Sequence, residues 1–244
     1  MLTQREEYER NVLRILSESK EPVGSVSMSL TLAERNIDIS SATVGRLLTE
    51  LDRRSLTAKR GYRGRTLTAT GLQRLNELEL KREIAEASSK FHKSIDIDNK
   101  NDLLNILTAR RGIEREIARL AAINATPEDI QAITDAYNIQ SVDVAHGRVS
   151  PENDVAFHRA IGRASKNSVL AAAYDFIWQN GKFSPVMEYV RTYVGGTISS
   201  DHRKILEAIV AKDSEGAERA MVRHIESMIG DVNKYWSLAN QSPG

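Results

Sequence analysis

Two histidines placed symmetrically about a helix break constrain the fold of this chain more than any other feature. His202 lies ten residues before Lys212, and His224 lies ten residues after Ser214. The break at 212–216 is polar and contains a glycine, and apolar residues recur at helical spacing on both sides of it. Equal arms of an antiparallel helical hairpin carry side chains at the same height, so the two imidazoles could share an ion.

A second pair of candidate metal ligands, Asp154 and His158, lies one helical turn apart. A serine suited to the N-cap and a proline precede the pair, and residues at i and i+4 share a helix face. One carboxylate and three imidazoles would suit Zn²⁺, Ni²⁺, Mn²⁺ or Fe²⁺, with positions left for water or a ligand. The alternative is a common surface pair or cap. His92 and His146 lack such spacing, and we expect both to be solvated.

Several spaced motifs in this half of the chain resemble the FCD ligand domain of GntR-type transcriptional regulators of the FadR group. They are the stretches 154–161, 164–167, 201–209 and 217–225. The resemblance covers about residues 100–235. It implies an all-helical bundle in which one Asp and three His hold a divalent metal that helps to bind a small carboxylate effector. By this resemblance the metal ligands are Asp154, His158, His202 and His224, and Asn167 is expected at the effector.

Arg110 falls within an apolar helical stripe made by Leu103, Ile106, Leu107, Ile113, Ile117, Leu120 and Ala121. A buried guanidinium needs a partner, because an unpaired buried charge is costly. Two partners remain open: Glu114 one turn further on, and the carboxylate of an effector, which a guanidinium can bind with two parallel hydrogen bonds. The family resemblance implies that this arginine faces the effector.

The C-terminal part is predicted to be an antiparallel bundle of six to seven helices that encloses a cavity. Besides the helix that carries Arg110, we expect helices at 127–144, 152–165, 168–179, 184–193, 198–211 and 215–236. Four aromatic residues either line the cavity or, as the more common role, pack the core: Tyr174, Phe176, Trp178 and Tyr189.

The N-terminal part has the order of a winged helix-turn-helix. Helices are predicted at 6–19, 27–36 and 41–54, followed by strands at 56–60 and 65–69 that a Gly-Tyr-Arg-Gly tip connects. Seven basic residues and two acids lie between positions 46 and 65, which indicates a phosphate-facing surface. The candidate DNA contacts are Ser41, Thr43, Arg46 and Arg53 on the third helix and Arg60, Tyr62, Arg63 and Arg65 on the wing. The alternative is an inert basic hairpin.

This DNA-binding part departs from the family pattern. GntR-type domains usually carry a Thr-Val-Arg run in the recognition helix, whereas this chain has Thr-Val-Gly-Arg at 43–46. The basic residue is therefore displaced by one position, about 100° around the helix. We therefore expect the recognition helix to make base contacts that differ from those of the family. The operator sequence of the family is not predicted for this chain.

The length of 244 residues and the composition agree with a two-domain chain, and the predicted helices make it mostly α-helical. The predicted division is a winged helix-turn-helix at 1–78, a helical linker at 79–100 and an FCD-type domain at 101–238. The absence of cysteine, of an apolar signal region and of any 18-residue apolar stretch predicts a cytoplasmic protein without membrane contact.

The functional prediction is a sequence-specific DNA-binding regulator, specifically a repressor, which binds a double-stranded operator, a divalent metal and a small organic acid. The resemblance implies a homodimer. We expect no enzyme, because the sequence has no nucleotide-binding loop and no catalytic Ser/His/Asp pattern. Two alternatives stay open: a metal-dependent enzyme built on the bundle, and a constitutive DNA-binding protein whose metal is structural.

Overall fold

The computed structural model describes residues 2–145, 150–178, 181–195 and 199–239. The chain divides into two compact units, Met1–Phe91 and His92–Gly244, and we describe each by itself. His146 lies outside the described residues, so the expectation of a solvated side chain there stays a prediction.

The first unit is a winged helix-turn-helix, as the sequence predicted. Its elements are α1 (Gln4–Glu18), α2 (Ser25–Glu34), α3 (Ser41–Arg53), β1 (Thr57–Lys59), β2 (Arg65–Leu67) and the start of α4 (Ala69–Ser94). Thr3 opens α1 with a capping box, and the Ser40 side chain opens α3 by accepting a hydrogen bond from the Thr43 amide. The core consists of apolar residues from all the helices, among them Leu13, Met28, Leu32, Leu48, Leu51 and Leu78.

A buried carboxylate ties three helices of this unit together. Glu9 on α1 accepts hydrogen bonds from both terminal nitrogens of Arg54 at 2.7 and 2.9 Å, and from Nε of Arg74 on α4 at 2.9 Å. Burial alone would raise the pKa of Glu9. The hydrogen bonds and charges of the two arginines outweigh that effect and hold its pKa below the ordinary 4.5.

The wing is a short antiparallel hairpin in which Thr57 pairs with Leu67 and Lys59 with Arg65. Gly64 adopts a φ of +125°, and a Cβ there would lie 2.3 Å from the carbonyl carbon of Val23. Only glycine fits this close approach without displacing the backbone.

Several predicted bounds in this unit were wrong by one or two residues. Both strands are shorter than the predicted 56–60 and 65–69. Strand β2 ends at Leu67 because α4 begins at residue 69, where the Thr68 hydroxyl accepts a hydrogen bond from the Gly71 amide. Helix α2 runs two residues earlier than predicted. It ends at Glu34 because Asn36 turns into the left-handed region with φ of +61°.

The second unit is a bundle of seven helices within the described ranges, which confirms the predicted fold class. They are α5 (Lys100–Asn124), α6 (Pro127–Ala145), α7 (Pro151–Ala164), α8 (Ser168–Trp178), α9 (Phe183–Val194), α10 (Ser199–Val210) and α11 (Ser214–Ala239). Asn99 opens α5 with a capping box to Asp102. Helix α11 packs along α5, α9 and α10. The predicted helix ends at 179 and 198 fall outside the described residues.

The bundle core is continuous and brings α5, α7, α10 and α11 into contact. Its fully buried members include Leu103, Leu107, Phe157, Ile161, Ile205 and Ile225. Among the described helices, none combines the length and the apolar character that crossing a membrane requires.

Candidate metal centre

Three histidines from three helices meet in the interior of the bundle. His158 on α7, His202 on α10 and His224 on α11 are at most 2% exposed. Nε2 of His202 lies 3.3 Å from Nε2 of His158 and 3.2 Å from Nε2 of His224. One nitrogen from each ring lies within 4.8 Å of the other two. The equal arms of the α10–α11 hairpin thus bring the two predicted imidazoles to the same height.

Neighbouring polar groups fix which nitrogen of two rings carries the proton. Nδ1 of His202 lies 2.6 Å from Oε1 of Gln140, whose Nε2 donates to Oδ1 of Asp154 at 3.2 Å. An amide oxygen only accepts, so Nδ1 of His202 must donate. Nδ1 of His158 lies 2.5 Å from Oε2 of Glu114, a contact that places a proton on this nitrogen as well. Nε2 of the neutral His202 ring therefore presents a lone pair toward the other two imidazoles.

The electrostatic environment leaves His202 and His224 unprotonated, which is the form of histidine that binds a metal cation. Burial lowers the pKa of His202 to about 3 and that of His224 well below 6.5, so both rings are neutral at pH 7. Burial acts to raise the pKa of Glu114, but Arg110 and His158 outweigh it and lower this pKa to about 2. Neutral imidazoles oriented by a carboxylate or an amide are the usual form of metal-binding histidines.

The donor set fits a divalent metal. Two nitrogen ligands about 2.05 Å from a tetrahedral metal lie about 3.3 Å apart, close to the separations between these Nε2 atoms. Because Nδ1 of His202 donates to Gln140 and this ring is neutral, its Nε2 has a lone pair available for a cation. The arrangement could bind Zn²⁺ or another ion that prefers nitrogen ligands.

Asp154, the fourth expected ligand, lies at the edge of this cluster. Its Oδ1 is 3.5 Å from Nε2 of His202, and its side chain is 16% exposed. Burial acts to raise the pKa of Asp154, but nearby positive groups, among them Arg110 and Arg191, outweigh it and keep this pKa below 3.8. The carboxylate is therefore ionised beside the three nitrogens.

Arg110 is fully buried beside the cluster and forms the predicted pair with Glu114. Its Nε donates to Oε1 of Glu114 at 2.5 Å, and its guanidinium stacks on the rings of Trp178 and Phe183, whose centroids lie 4.7 and 5.0 Å away. Within the described residues its Nη2 has no hydrogen-bond partner. The ion pair with Glu114 is therefore present, and Nη2 of Arg110 remains able to donate a hydrogen bond to a further acceptor.

A small cavity of about 30 Å³ is lined by three residues that contact Arg110, namely Trp178, Phe183 and Met228. Its wall includes Asp154, Trp178, Phe183, Met187, Arg191 and Met228. This volume holds one or two water molecules, whereas small-molecule sites usually measure about 300–1,000 Å³. Trp178 and Phe183 both cover Arg110 and line the cavity, so their movement would enlarge it.

Three other expected site residues lie elsewhere. Asn167 caps α8, where its Oδ1 accepts hydrogen bonds from the amides of Val169 and Leu170, and it borders an open surface groove. Tyr189 is 58% exposed and does not line the cavity. Phe176 packs against His92 with ring centroids 4.7 Å apart, and His92 is exposed, as expected.

Sequence reasoning missed Gln140, Arg191 and the second contact of Glu114. Gln140 is 3% exposed and continues the buried face of α6 after Ile133 and Tyr137. A polar residue on an apolar helix face was the available signal. Arg191 is also buried, and its Nε lies 3.1 Å from Oδ2 of Asp231.

Most of the expected DNA-contact side chains are exposed in the first unit. Ser41, Arg46 and Arg53 are exposed on α3, and Arg60, Tyr62 and Arg63 are exposed at the wing tip, where Tyr62 is 99% accessible. Thr43 is half-buried and accepts a hydrogen bond from Arg46. Arg65 differs from the others because its Nε binds Oδ2 of Asp52 at 3.0 Å.

Comparisons with known proteins match both units. The FCD domain family matches residues 105–227, just over half of the chain, and the ribonuclease R winged-helix domain matches residues 10–75. The Uxu operon transcriptional regulator of Escherichia coli is 31% identical over 130 residues, which are 50% of this chain and 51% of that protein. The putative L-lactate dehydrogenase operon regulatory protein of Escherichia coli is 33% identical over 140 residues, 54% of this chain and 52% of that protein.

The chain thus spans about half the length of these curated relatives. Both are named as regulators, which agrees with the expectation that the chain is not an enzyme. Among solved structures, a GntR family transcriptional regulator from Pseudomonas syringae aligns over 98% of both chains with 14% identity and a TM-score of 0.49.

Proposed function

The chain belongs to the GntR-type transcriptional regulators that carry an FCD domain, and from that premise we propose that it is a DNA-binding repressor controlled by a small organic acid. In this proposal the helical unit binds a divalent metal and the carboxylate of the acid. The winged helix-turn-helix binds a double-stranded operator. Two copies of the chain form a homodimer that presents two wings to a palindromic site.

The observation that carries this proposal is the convergence of three buried imidazoles on one point. Gln140 orients His202 so that the unprotonated Nε2 of this ring faces the other two rings, and Glu114 contacts Nδ1 of His158. A cation among the three rings would be coordinated by nitrogens that these outer partners hold in place. The metal, when bound, would supply a Lewis-acidic position for an oxygen of the acid, and His158, His202, His224 and Asp154 would hold it.

Arg110 is the group that would bind the carboxylate beside the metal. Its Nη2 has an unused donor, and the aromatic rings that cover it also line the cavity. Entry of an acid would displace Trp178 or Phe183, because the cavity is too small for both the acid and these rings. An acid that binds only when Trp178 or Phe183 is displaced shifts the bundle toward that conformation. This difference in affinity between the two conformations is what would change operator binding.

The exposed basic residues of α3 and the wing support DNA as the partner of the first unit. Ser41 and Arg46 lie in the N-terminal half of α3, the part of a recognition helix that reaches base edges in the major groove. Arg60, Tyr62 and Arg63 at the wing tip suit phosphates or the minor groove. Because Arg65 is paired with Asp52, we assign it to holding the wing.

The test begins with selection of genomic fragments on the metal-loaded protein at near-physiological salt. The affinity of the selected site is then measured with and without a chelator and a panel of organic acids. We expect a palindromic site whose affinity falls when a suitable acid is added to the metal-loaded protein. A matched variant, His202→Ala, is expected to retain operator binding and to lose the response to the acid. An affinity that ignores metal and every acid would contradict the proposal.

Two additional measurements on the same protein separate this proposal from its two alternatives. A structural metal predicts that chelation unfolds the bundle, which far-ultraviolet circular dichroism would detect. A sensory metal predicts a folded protein that binds its operator and ignores the acid. A metal-dependent enzyme predicts consumption of the acid rather than its release unchanged, which chromatography of the recovered acid measures.

A further inference from the structure

Two exposed arginines on the outward face of α3 keep their charges uncompensated. Arg46 and Arg53 lie seven positions apart, so both project from the same side of the helix. Within the described residues the ion pairs of α3 all involve other side chains. Arg46 also donates from Nη2 to Oγ1 of Thr43 at 3.1 Å, which uses one of its five N–H groups. Both guanidinium groups therefore retain donors for an acceptor outside the chain.

Both acids of α3 are already paired with arginines from other elements of the first unit. Glu50 contacts Nη2 of Arg5 on α1, and Asp52 accepts a hydrogen bond from Nε of Arg65 on β2 at 3.0 Å. Free carboxylates are the side chains that accept from the amino group of cytosine, and Asn or Gln bind adenine with two hydrogen bonds. Helix α3 contains neither Asn nor Gln. The helix thus offers no uncompensated group that selects cytosine or adenine.

Beside the two arginines, α3 presents methyl groups to solvent. Ala42 and Thr49 are exposed and lie seven positions apart. The Thr49 hydroxyl donates to the carbonyl of Gly45 at 2.9 Å, so its proton is used within the helix while its methyl group stays available. Gly45 has no side chain to keep a base edge away from the backbone. These residues and the arginines line an open groove of about 540 Å³.

We propose that α3 reads guanine with Arg46 and Arg53 and reads the 5-methyl group of thymine with Ala42 and Thr49. A guanidinium fork binds O6 and N7 of guanine with two hydrogen bonds, and small apolar groups contact the thymine methyl. The four side chains span eleven positions, which is about 16 Å along the helix or about five base-pair steps. Each operator half-site therefore presents guanine and thymine within that span. This inference rests on the proposed DNA-binding function and names the base edges that the helix selects.

Base analogues in the selected operator test the inference on the full-length protein, because each analogue removes one group from one groove. Deoxyuridine lacks only the 5-methyl group of thymine, and we expect it to weaken binding about three- to fivefold at one or two positions of each half-site. 7-Deazaguanine lacks the N7 acceptor, and we expect a loss of about fivefold at one or two guanines. Inosine at the same guanines removes a minor-groove amino group and should leave the affinity unchanged.

The Thr49→Ser variant assigns one methyl contact, since it removes the methyl group and keeps the hydroxyl that bonds the Gly45 carbonyl. We expect it to bind the thymine operator about three- to fivefold more weakly and to lose the distinction between thymine and deoxyuridine at one position. Thr108→Ser is the matched control, because Thr108 on α5 donates in the same way to the carbonyl of Leu104. The control should keep the wild-type affinity and the wild-type response to deoxyuridine.

The Gly45→Ala variant tests the close approach of a base edge to α3. In the free protein an added Cβ has room, since the nearest atom that it would meet is Cβ of Ser25 at 3.9 Å. Thermal stability should therefore rise, because alanine favours a helix more than glycine does. Operator affinity should nevertheless fall more than about fivefold, because the added methyl group overfills the groove. Gly112→Ala on α5 also adds a Cβ in open space, and it should leave operator affinity unchanged.

Three results would overturn the inference and leave operator binding intact. One is an operator that tolerates deoxyuridine at every thymine or 7-deazaguanine at every guanine. Another is a Thr49→Ser variant that responds to deoxyuridine at every position as the wild type does. The third is a Gly45→Ala variant that binds the operator as tightly as the wild type. If no operator is selected at all, the proposed function fails together with this inference.

Discussion

Replacing Gln140 with leucine should weaken metal binding while the bundle stays folded. Gln140 donates from Nε2 to Asp154 at 3.2 Å and accepts the Nδ1 proton of His202 at 2.6 Å, so it orients two expected ligands at once. Loss of such an outer partner costs about 10- to 100-fold in metal affinity, or about 1.4–2.7 kcal/mol. The metal-free variant should also lose about 1–3 kcal/mol of stability, because Nδ1 of His202 is left buried without an acceptor.

Competition with a chromophoric chelator measures the metal affinity, and urea unfolding of the metal-free protein measures the stability. The matched control is Gln131→Leu on the same helix, because Gln131 is exposed and its side chain donates to Asp135 rather than to the cluster. Its metal affinity should equal that of the wild type. If Gln140→Leu binds metal as tightly as Gln131→Leu, the reasoning that the amide fixes the His202 tautomer is refuted.

Three further predictions concern the first unit. Arg46→Ala should relax the sequence preference at one base position and reduce the binding free energy for the selected site by about 1–3 kcal/mol. Lys59→Ala should weaken binding to all DNA sequences alike. Selection of DNA fragments on both variants distinguishes the two effects. The pKa of Glu9 is lowered, so its contribution to stability is present above pH 4.5 and is lost as the pH falls below that value. Glu9→Gln should therefore be less stable than the wild type at pH 7, with a difference that shrinks in acid; equal stability at pH 7 would contradict this. Gly64→Ala should lower the free energy of unfolding, measured in urea, by more than about 2 kcal/mol. Gly61→Ala should lower it by about 1 kcal/mol, because the space around Gly61 is open. Equal losses in the two variants would exclude the close approach of Gly64 to Val23 as the reason.

Local sequence signals were sufficient for the fold and for the three-histidine cluster. The positions of His202 and His224 about a helix break placed them on facing helices, and the i,i+4 spacing put His158 on the same face as Asp154. Periodicity, caps and glycines carry this information along the chain, so helix order could be predicted without long-range knowledge.

The groups that orient the ligands could not be found in the same way. Gln140 contacts His202 across 62 positions, and a glutamine on a helix gives no local sign of such a partner. Glu114 was expected to pair with Arg110 one turn away, but its second oxygen contacts His158, which depends on how α5 packs against α7. Asn167 shows the reverse case, since the resemblance placed it at the effector while its side chain caps α8.

The most direct test of the account is the metal content of the purified protein after equilibrium dialysis against a divalent metal and then metal-free buffer. Elemental analysis should find about one equivalent per chain in the wild type and a strongly reduced content in His202→Ala, whose central imidazole is removed. His92→Ala serves as the control, because His92 lies outside the cluster, and it should retain the wild-type content. A wild-type protein that retains no metal, or a His202→Ala variant that retains as much, would contradict the assignment of the buried histidines as a metal site.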